Sequence, residues 1–308
     1  MKHQMTDAVP PRVRCTGETR QQILATALPS SATCCGIPAA RHRGQAELES
    51  AVALAAAGLG GLSRHPIGIK RVHPEPDRLT LFLLDEPYVI HSWAERLLPT
   101  ADPTAGELRD HARGVFGLRF RTTATDVRLY RPGKTGEVRL RGFNPRWWHR
   151  IAHGLAGYYG ADAVFTHSDT WSRAEHAADA AHNAMNWNPF FGSALLRRIL
   201  ATTGPGSLNG TDLWQTTLGG RQWTVETTDG PSCSELLPLF TQPPTGLGWT
   251  VTKHWCRCGE GDDGCHIYFR TTDPSQGVYF ANRRWGRLEL DDRTRAHIAA
   301  LNRSAFSF

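Results

Sequence analysis

The period-two alternation of side chains between residues 116 and 143 constrains the fold of this chain more than any other feature. Three short segments alternate, at 116–122, 126–131 and 136–143, and the connections between them are rich in Gly, Pro and Thr. Successive side chains of a β-strand point to opposite faces of its sheet. The pattern therefore predicts a three-stranded antiparallel meander. Its apolar face would carry Leu118, Phe120, Val127, Leu129, Val138 and Leu140.

The opposite face of this predicted sheet is rich in arginine. It would carry Arg119, Arg121, Arg128, Tyr130, Arg139 and Arg141. Residues 113–150 contain ten Lys and Arg side chains against two carboxylates, a formal charge of +8, whereas the whole chain carries +6. Asn144 and Pro145 are typical of a helix start, and the first turn of that helix would bring Arg146 to the same region.

An arginine-rich sheet face of this kind suits a nucleic acid. Planar guanidinium groups bind phosphate oxygens in a bidentate manner, and a tyrosine ring can stack on a base. The leading hypothesis is a nucleic-acid-binding protein, for DNA or RNA, that contacts phosphates through these six residues and Arg146. One alternative is a solvated face whose arginines pair with carboxylates from elsewhere in the chain. Another is a non-catalytic interaction module that docks an acidic protein partner.

The composition along the chain suggests two domains after a tail. Residues 1–45 carry a net positive charge without periodicity, so we expect a disordered basic tail. Residues 46–205 combine helix and strand patterns around the arginine-rich sheet face. A break rich in Gly, Pro and Ser at 203–210 precedes a β-rich domain at 206–308 that closes with a helix. The predicted fold class is α+β, an antiparallel sheet with helices on one face plus a smaller β-rich C-terminal domain, and no internal repeat is evident.

The sequence also predicts a compartment. It has no apolar run long enough to span a bilayer and no signal-peptide pattern behind its basic N-terminus. Its seven cysteines are an odd number, which does not favour a secreted disulfide framework. We therefore expect a cytoplasmic protein with reduced thiols and no membrane partner.

Cysteine and histidine residues cluster in the predicted C-terminal domain. The segment His254-Trp255-Cys256-Arg257-Cys258 is followed by a polar Gly-rich loop and then by Cys265-His266, which predicts a β-hairpin with Cys258 opposite Cys265. Thiolate and imidazole ligands favour zinc, and the candidate ligands are Cys256, Cys258, Cys265 and His266. Residues two apart on a strand are separated by roughly 6.6 Å, so a hairpin without a bulge favours thiols that simply pack in a core.

A helix predicted from Trp171 to Met185 is the second place where chemistry is possible. Its polar side would carry Glu175, His176, Asp179, His182 and Asn183, and His167 and Asp169 precede it. Such groups can bind a metal or form an acid–base pair, although a solvated helix face is the simpler interpretation. The alternative function is thus a metal-dependent enzyme that uses this helix or the cysteine hairpin.

Overall fold

A computed structural model describes most of the chain, at residues 10–26, 36–57, 59, 65–101, 112–159, 169–185, 187–203, 210–217, 221–256, 264–271 and 276–283. Within these ranges a helical segment at residues 10–16 is followed by the helices α1 (Arg20–Thr26), α2 (Arg43–Ala56), α3 (Pro87–Leu97), α4 (Pro145–Tyr159), α5 (Arg173–Ala184), α6 (Pro189–Leu196) and α7 (Cys233–Thr241). Together with two five-stranded sheets they confirm the predicted α+β fold. Among the described residues, no helix is both long and apolar enough to cross a membrane.

The first sheet contains the predicted meander. Its strands are β1 (Ile69–Glu75), β2 (Arg78–Leu83), β5 (Arg119–Thr122), β6 (Val127–Tyr130) and β7 (Val138–Arg141), and the short strands β3 (Thr100–Ala101) and β4 (Ala112–Arg113) pair separately. The order is β1-β2-β7-β6-β5, and β5, β6 and β7 are antiparallel neighbours as predicted. The ladder between β2 and β7 is parallel, so the sheet is mixed rather than antiparallel throughout. The long connection from β2 to β7, which includes α3, allows this parallel pairing.

The second sheet lies in the C-terminal part of the chain. Its strands are β8 (Gly210–Thr216), β9 (Arg221–Thr228), β10 (Thr250–Cys256), β11 (Cys265–Arg270) and β12 (Gln276–Arg283), in the order β10-β11-β12-β9-β8. Strands β10, β11 and β12 form an antiparallel meander, and β12 runs parallel to β9. The predicted cysteine hairpin is therefore present as β10 and β11.

The two sheets share one topology. Each begins with an antiparallel hairpin, β1-β2 or β8-β9, which is followed by a helix, α3 or α7. A three-strand meander comes next, and its last strand pairs in parallel with the second strand of the hairpin. The chain thus contains two structural repeats that the sequence does not reveal. Strand pairing depends on backbone hydrogen bonds, whereas the outward side chains of the two meanders differ: they include Arg121, Arg128 and Arg139 in the first and His266, Tyr268 and Tyr279 in the second.

The apolar face of the first sheet is buried as the alternation predicts. Leu118, Val127, Leu129, Val138 and Leu140 have no exposed surface, and Phe120 is partly buried. Leu48 of α2, Trp93 of α3 and Trp148 of α4 belong to the same hydrophobic cluster. These helices therefore cover the apolar face and leave the arginine side to other groups.

Helices α2 and α6, which precede the two hairpins, meet through a buried ion pair. The Arg197 guanidinium donates from Nε to the Glu49 carboxylate over 2.7 Å, and neither side chain has exposed surface. Ser193 and Gln45 also donate to this carboxylate, each over 2.6 Å. These four side chains form one buried hydrogen-bond network that joins one repeat to the other.

Part of the predicted N-terminal tail is ordered. Residues 10–16 are helical, α1 follows, and the side chains of Cys15 and Ile23 have no exposed surface. The Arg12 guanidinium pairs with Glu18 in a buried contact of 2.8 Å. Over these residues the structure differs from the predicted disorder, because apolar side chains are buried and ion pairs of Arg14 with Glu235 and of Glu18 with His73 connect the segment to the rest of the fold. The boundary near residue 206 and the closing helix lie outside the described residues.

Candidate functional site

Arg119, at the end of the predicted face, forms a buried ion pair with Glu175. It is 2% exposed, and its Nη1 and Nη2 atoms donate to the two oxygens of Glu175 over 2.9 and 3.1 Å. Backbone amides of Gly117 and Ser172 donate to the same carboxylate. Burial by itself raises the pKa of Glu175, but the hydrogen bonds from Arg119 and these amides outweigh it and lower the pKa. Arg119 therefore joins α5 to the sheet and has a structural role.

Asp126 holds two further arginines of the face side by side. Its carboxylate accepts a hydrogen bond from Arg128 Nε over 3.2 Å and one from Arg141 Nη2 over 3.3 Å. The carboxylate is 2% exposed, whereas the two arginine side chains are 40% and 39% exposed. Burial raises the pKa of Asp126, yet the hydrogen bonds from Thr123 and Arg128 outweigh burial and lower the pKa. Two accessible guanidinium groups thus share one negative charge.

The remaining groups of the face are also in contact with one another. Arg139 forms an ion pair with Glu137, and both side chains are half-buried. The Arg121 guanidinium lies 4.9 Å from the centre of the Tyr130 ring, which is within cation–π distance. The Tyr130 hydroxyl donates to Asp169 over 3.2 Å. The interpretation in which arginines pair with carboxylates therefore describes most of this surface, and Arg121 is its most exposed cation.

Arg146 lies near the start of α4, the helix that packs on the apolar side of the sheet. It is exposed in the first turn of α4. The Trp148 ring of that helix packs 6.2 Å from Phe120, which belongs to the apolar face. α4 therefore packs on the apolar side of the sheet, opposite to the arginine face that Arg146 was predicted to join.

The polar helix predicted after Trp171 is α5, and its groups do not converge on a metal site. Glu175 is bound to Arg119, and the His176 ring packs on Trp171 with ring centres 5.4 Å apart. Asp179 accepts a hydrogen bond from Asn183 over 2.9 Å. His167 lies outside the described residues.

Among the described residues, the side chains that could hold a metal ion are Cys233, His254 and Cys256. Their ligand atoms all lie within 4.8 Å of one another. The Sγ atoms of Cys233 and Cys256 are 3.1 Å apart, and both residues are thiols. Burial and the neighbouring Cys256 raise the pKa of Cys233 to about 11. A bare thiolate is therefore disfavoured here, and a cation would have to displace the proton.

The fold brings these three ligands together from two elements. His254 and Cys256 are two apart on β10 and therefore share one face of the hairpin. Cys233 is the first residue of α7, whose start is fixed by a capping box between Ser232 and Glu235. The hairpin face and the start of the helix thus meet at one point of the second repeat.

The structure agrees with only some of the predicted zinc ligands. Cys256 remains, and its Sγ lies 3.5 Å from that of Cys265, which faces it across the ladder in place of Cys258. Cys265 is disulfide-bonded in this structure, and Cys258 lies outside the described residues. His266 points to the other face of the sheet, where its ring stacks on Tyr279. Alternation along β11 explains this, because Cys265 and His266 are adjacent.

Sequence analysis missed Cys233 because its partners are remote. It lies 23 residues before Cys256, and a helix separates them, so no ligand spacing is visible. The one available signal is that Cys233 follows a Pro-Ser pair and precedes Glu235, which marks the start of a helix. That signal predicts where a helix begins, but it does not predict which residues Cys233 contacts.

Comparison of this fold and these sites with known proteins yields no relative: no family model, curated protein or solved structure matches the chain.

Proposed function

We propose that this protein binds a zinc ion through Cys233, His254 and Cys256, and that the ion has a structural role. The observation that carries the proposal is the convergence of two thiols and an imidazole, from two separate elements, within 4.8 Å. Thiolate and imidazole are the usual ligands of Zn²⁺, whereas Mg²⁺ and Ca²⁺ take oxygen ligands.

The sulfur positions suit a tetrahedral ion. Zn–S bonds are about 2.3 Å long, so two sulfurs bound to one tetrahedral zinc ion lie about 3.8 Å apart. The separations of Cys256 Sγ from Cys233 Sγ and from Cys265 Sγ are 3.1 and 3.5 Å, so small outward movements of the sulfurs are sufficient. In a compartment that keeps thiols reduced, such as the cytoplasm, Cys265 would supply a fourth ligand. The result would be a closed Cys₃His site of the structural type.

The proposed ion would fasten α7 to the β10-β11 hairpin. Val251 and Trp255 on β10 are both exposed, so this strand buries little apolar surface, and it pairs with β11 at the edge of the sheet. An edge strand with few buried side chains is a place where local opening costs little free energy. A metal bound at both elements would raise that cost, because opening the hairpin would then require breaking metal–ligand bonds.

The test is the zinc content of the protein purified under reducing conditions without added metal. We expect one zinc ion per chain and a large loss in the His254→Gln variant. The His266→Gln variant, which changes the neighbouring imidazole on the opposite face, should keep its zinc and serves as the matched control. A protein without zinc, or a His254→Gln variant that retains it, would contradict the proposal.

A second candidate function is binding of the phosphate backbone of a nucleic acid by the arginine face. The observation that favours it is that Asp126 holds Arg128 and Arg141 side by side while about two fifths of each side chain stays accessible. Arg121 beside the Tyr130 ring extends this group. Pre-positioned guanidinium groups lose little conformational entropy when they bind phosphate.

The nucleic-acid proposal predicts a salt-dependent affinity for short single- and double-stranded DNA and RNA. Log K should fall linearly with log salt, and the Arg121→Gln/Arg128→Gln double variant should reduce the slope by about two. The Arg146→Gln/Arg150→Gln double variant removes the same charge from α4, on the other side of the sheet, and should bind as the wild type does. Equal effects of the two double variants would mean that only the net charge matters, and absence of binding at low salt would refute the proposal.

A further inference from the structure

A cavity among the described residues lies between α2, α3 and α5. Its volume is about 670 Å³, within the range of small-molecule sites. One wall is apolar and is formed by Ala51, Leu54, Ala55, Phe116 and Trp187. This wall can cover a ligand body of the size of a bicyclic ring. None of the three proposed zinc ligands lines this cavity.

The charged residues of the cavity wall are Arg43, Glu47, Glu95, Arg96, Arg131 and Asp179. Three are cationic and three are anionic, so their formal charges cancel. Most have protein partners: Arg43 pairs with Glu47 over 2.8 Å, and Asp179 accepts a hydrogen bond from Asn183. These groups are therefore not the ones that a ligand would meet unpaired.

Arg131 is the exception. Its Nε atom is buried and has no hydrogen-bond partner, and within the described residues the guanidinium makes no ion pair. The guanidinium lies 6.0 Å from the centre of the Trp171 ring. Burial lowers the pKa of Arg131, whereas the charges of Asp179 and Glu47 raise it. The guanidinium stays protonated in proteins, and a buried Nε–H donor without an acceptor is costly, so an anionic acceptor would be favourable at this position.

We infer that this cavity binds a small monocarboxylic acid with an aromatic or branched aliphatic body. The carboxylate accepts a bidentate pair of hydrogen bonds from Arg131, and the body lies against the apolar wall. A single negative charge fits better than two, because Arg131 supplies one positive charge and Asp179 and Glu47 lie close enough to act on that charge. A phosphate dianion would meet those carboxylates at the same place.

His182 supports this assignment from the facing helix. It lines the cavity on α5, one turn after Asp179. Burial and the charge of Arg131 lower the pKa of His182, although Asp179 and Glu47 act against this change. The imidazole is therefore neutral at pH 7 and can donate a hydrogen bond without adding charge.

Calorimetric titration with 2-naphthylacetate, 2-naphthylacetamide and 2-naphthyl phosphate tests the inference on the intact protein. The three probes share one apolar body and differ in charge. The carboxylate should bind at least about tenfold more tightly than the uncharged amide, because a charge-assisted pair of hydrogen bonds is lost. It should also bind more tightly than the phosphate. Equal binding of acid and amide, or no binding of the acid, would overturn the proposal, and this comparison needs no variant.

Two variants distinguish the contribution of Arg131 to ligand binding from that of the apolar wall. Arg131→Gln should weaken binding of the acid at least about tenfold and leave the amide unchanged. Ala51→Phe should fill the apolar wall and weaken both probes. Arg121→Gln removes an exposed arginine outside the cavity and should change neither. Melting temperatures of all variants show whether each is folded, and unchanged acid binding in a folded Arg131→Gln protein would refute the role of Arg131.

Discussion

Gly117 lies where the chain leading into β5 packs closely against Trp171, in the segment before α5. Its φ is +72°, and a Cβ atom at this position would lie 2.2 Å from the Trp171 ring. Its amide donates to Glu175 over 2.8 Å, beside the buried pair with Arg119. A side chain here would therefore disturb both the ring and the ion pair that hold α5 on the sheet.

We expect Gly117→Ala to destabilise the protein far more than Gly133→Ala. Both glycines have a φ of +72°, where a Cβ costs about 1–2 kcal/mol, but a Cβ at Gly133 meets no atom within 4 Å. The difference between the two free energies of unfolding, measured with urea, isolates the clash with Trp171. Equal losses of unfolding free energy in the two variants would show that the Trp171 ring moves aside without destabilising the protein.

Single residues also show how far the sequence predicts the arginine face. Alternation predicts which side chains are apolar, and the burial of Val127, Leu129, Val138 and Leu140 confirms it. The ion pair of Arg119 with Glu175 could not be predicted in this way, because 56 residues separate the two. Strand periodicity determines the face of a side chain, whereas its partner depends on how elements pack.

At the scale of elements, the ion pair between Glu49 and Arg197 joins α2 to the end of α6. Both side chains are fully buried, and Ser193 and Gln45 complete the hydrogen bonds of the carboxylate. Replacing a buried pair by apolar groups can be neutral, but removing one partner leaves an uncompensated charge. The joint between the two repeats therefore depends on both partners being present.

Glu49→Ala should lower the free energy of unfolding by about 3–5 kcal/mol, because Arg197 would remain buried without its carboxylate. Glu47→Ala, two residues away on α2, removes a surface pair with Arg43 and should cost about 0.5 kcal/mol or less. Denaturant unfolding of both variants gives the comparison. A similarly small loss of stability in both variants would mean that water or another acceptor takes the place of the Glu49 carboxylate beside Arg197.

The elements differ in how predictable they are. The meander β5-β6-β7 and the cysteine hairpin follow from local patterns, and both are confirmed. The parallel ladders β2-β7 and β12-β9 bring together strands that are distant in sequence, so no local signal marks them. For the same reason the shared topology of the two sheets was not visible, since it depends on those ladders.

At the scale of the whole molecule, one buried hydrophobic cluster runs through both repeats. It includes Trp93 and Trp148 from the first repeat and Trp223 and Phe240 from the second. The three candidate sites use different side chains: no residue of the arginine face or of the cysteine cluster lines the cavity. Each can therefore be removed by substitution without altering the ligands of the others.

Cobalt substitution tests the central claim, the zinc site, most directly. Co²⁺ bound to thiolates gives charge-transfer absorption in the near ultraviolet, and tetrahedral Co²⁺ gives intense visible bands. Under reducing conditions we expect both signals at one equivalent, their removal by added Zn²⁺, and a marked loss in Cys233→Ser and Cys256→Ser. Absence of thiolate charge-transfer bands, or an unchanged spectrum in both serine variants, would contradict the account.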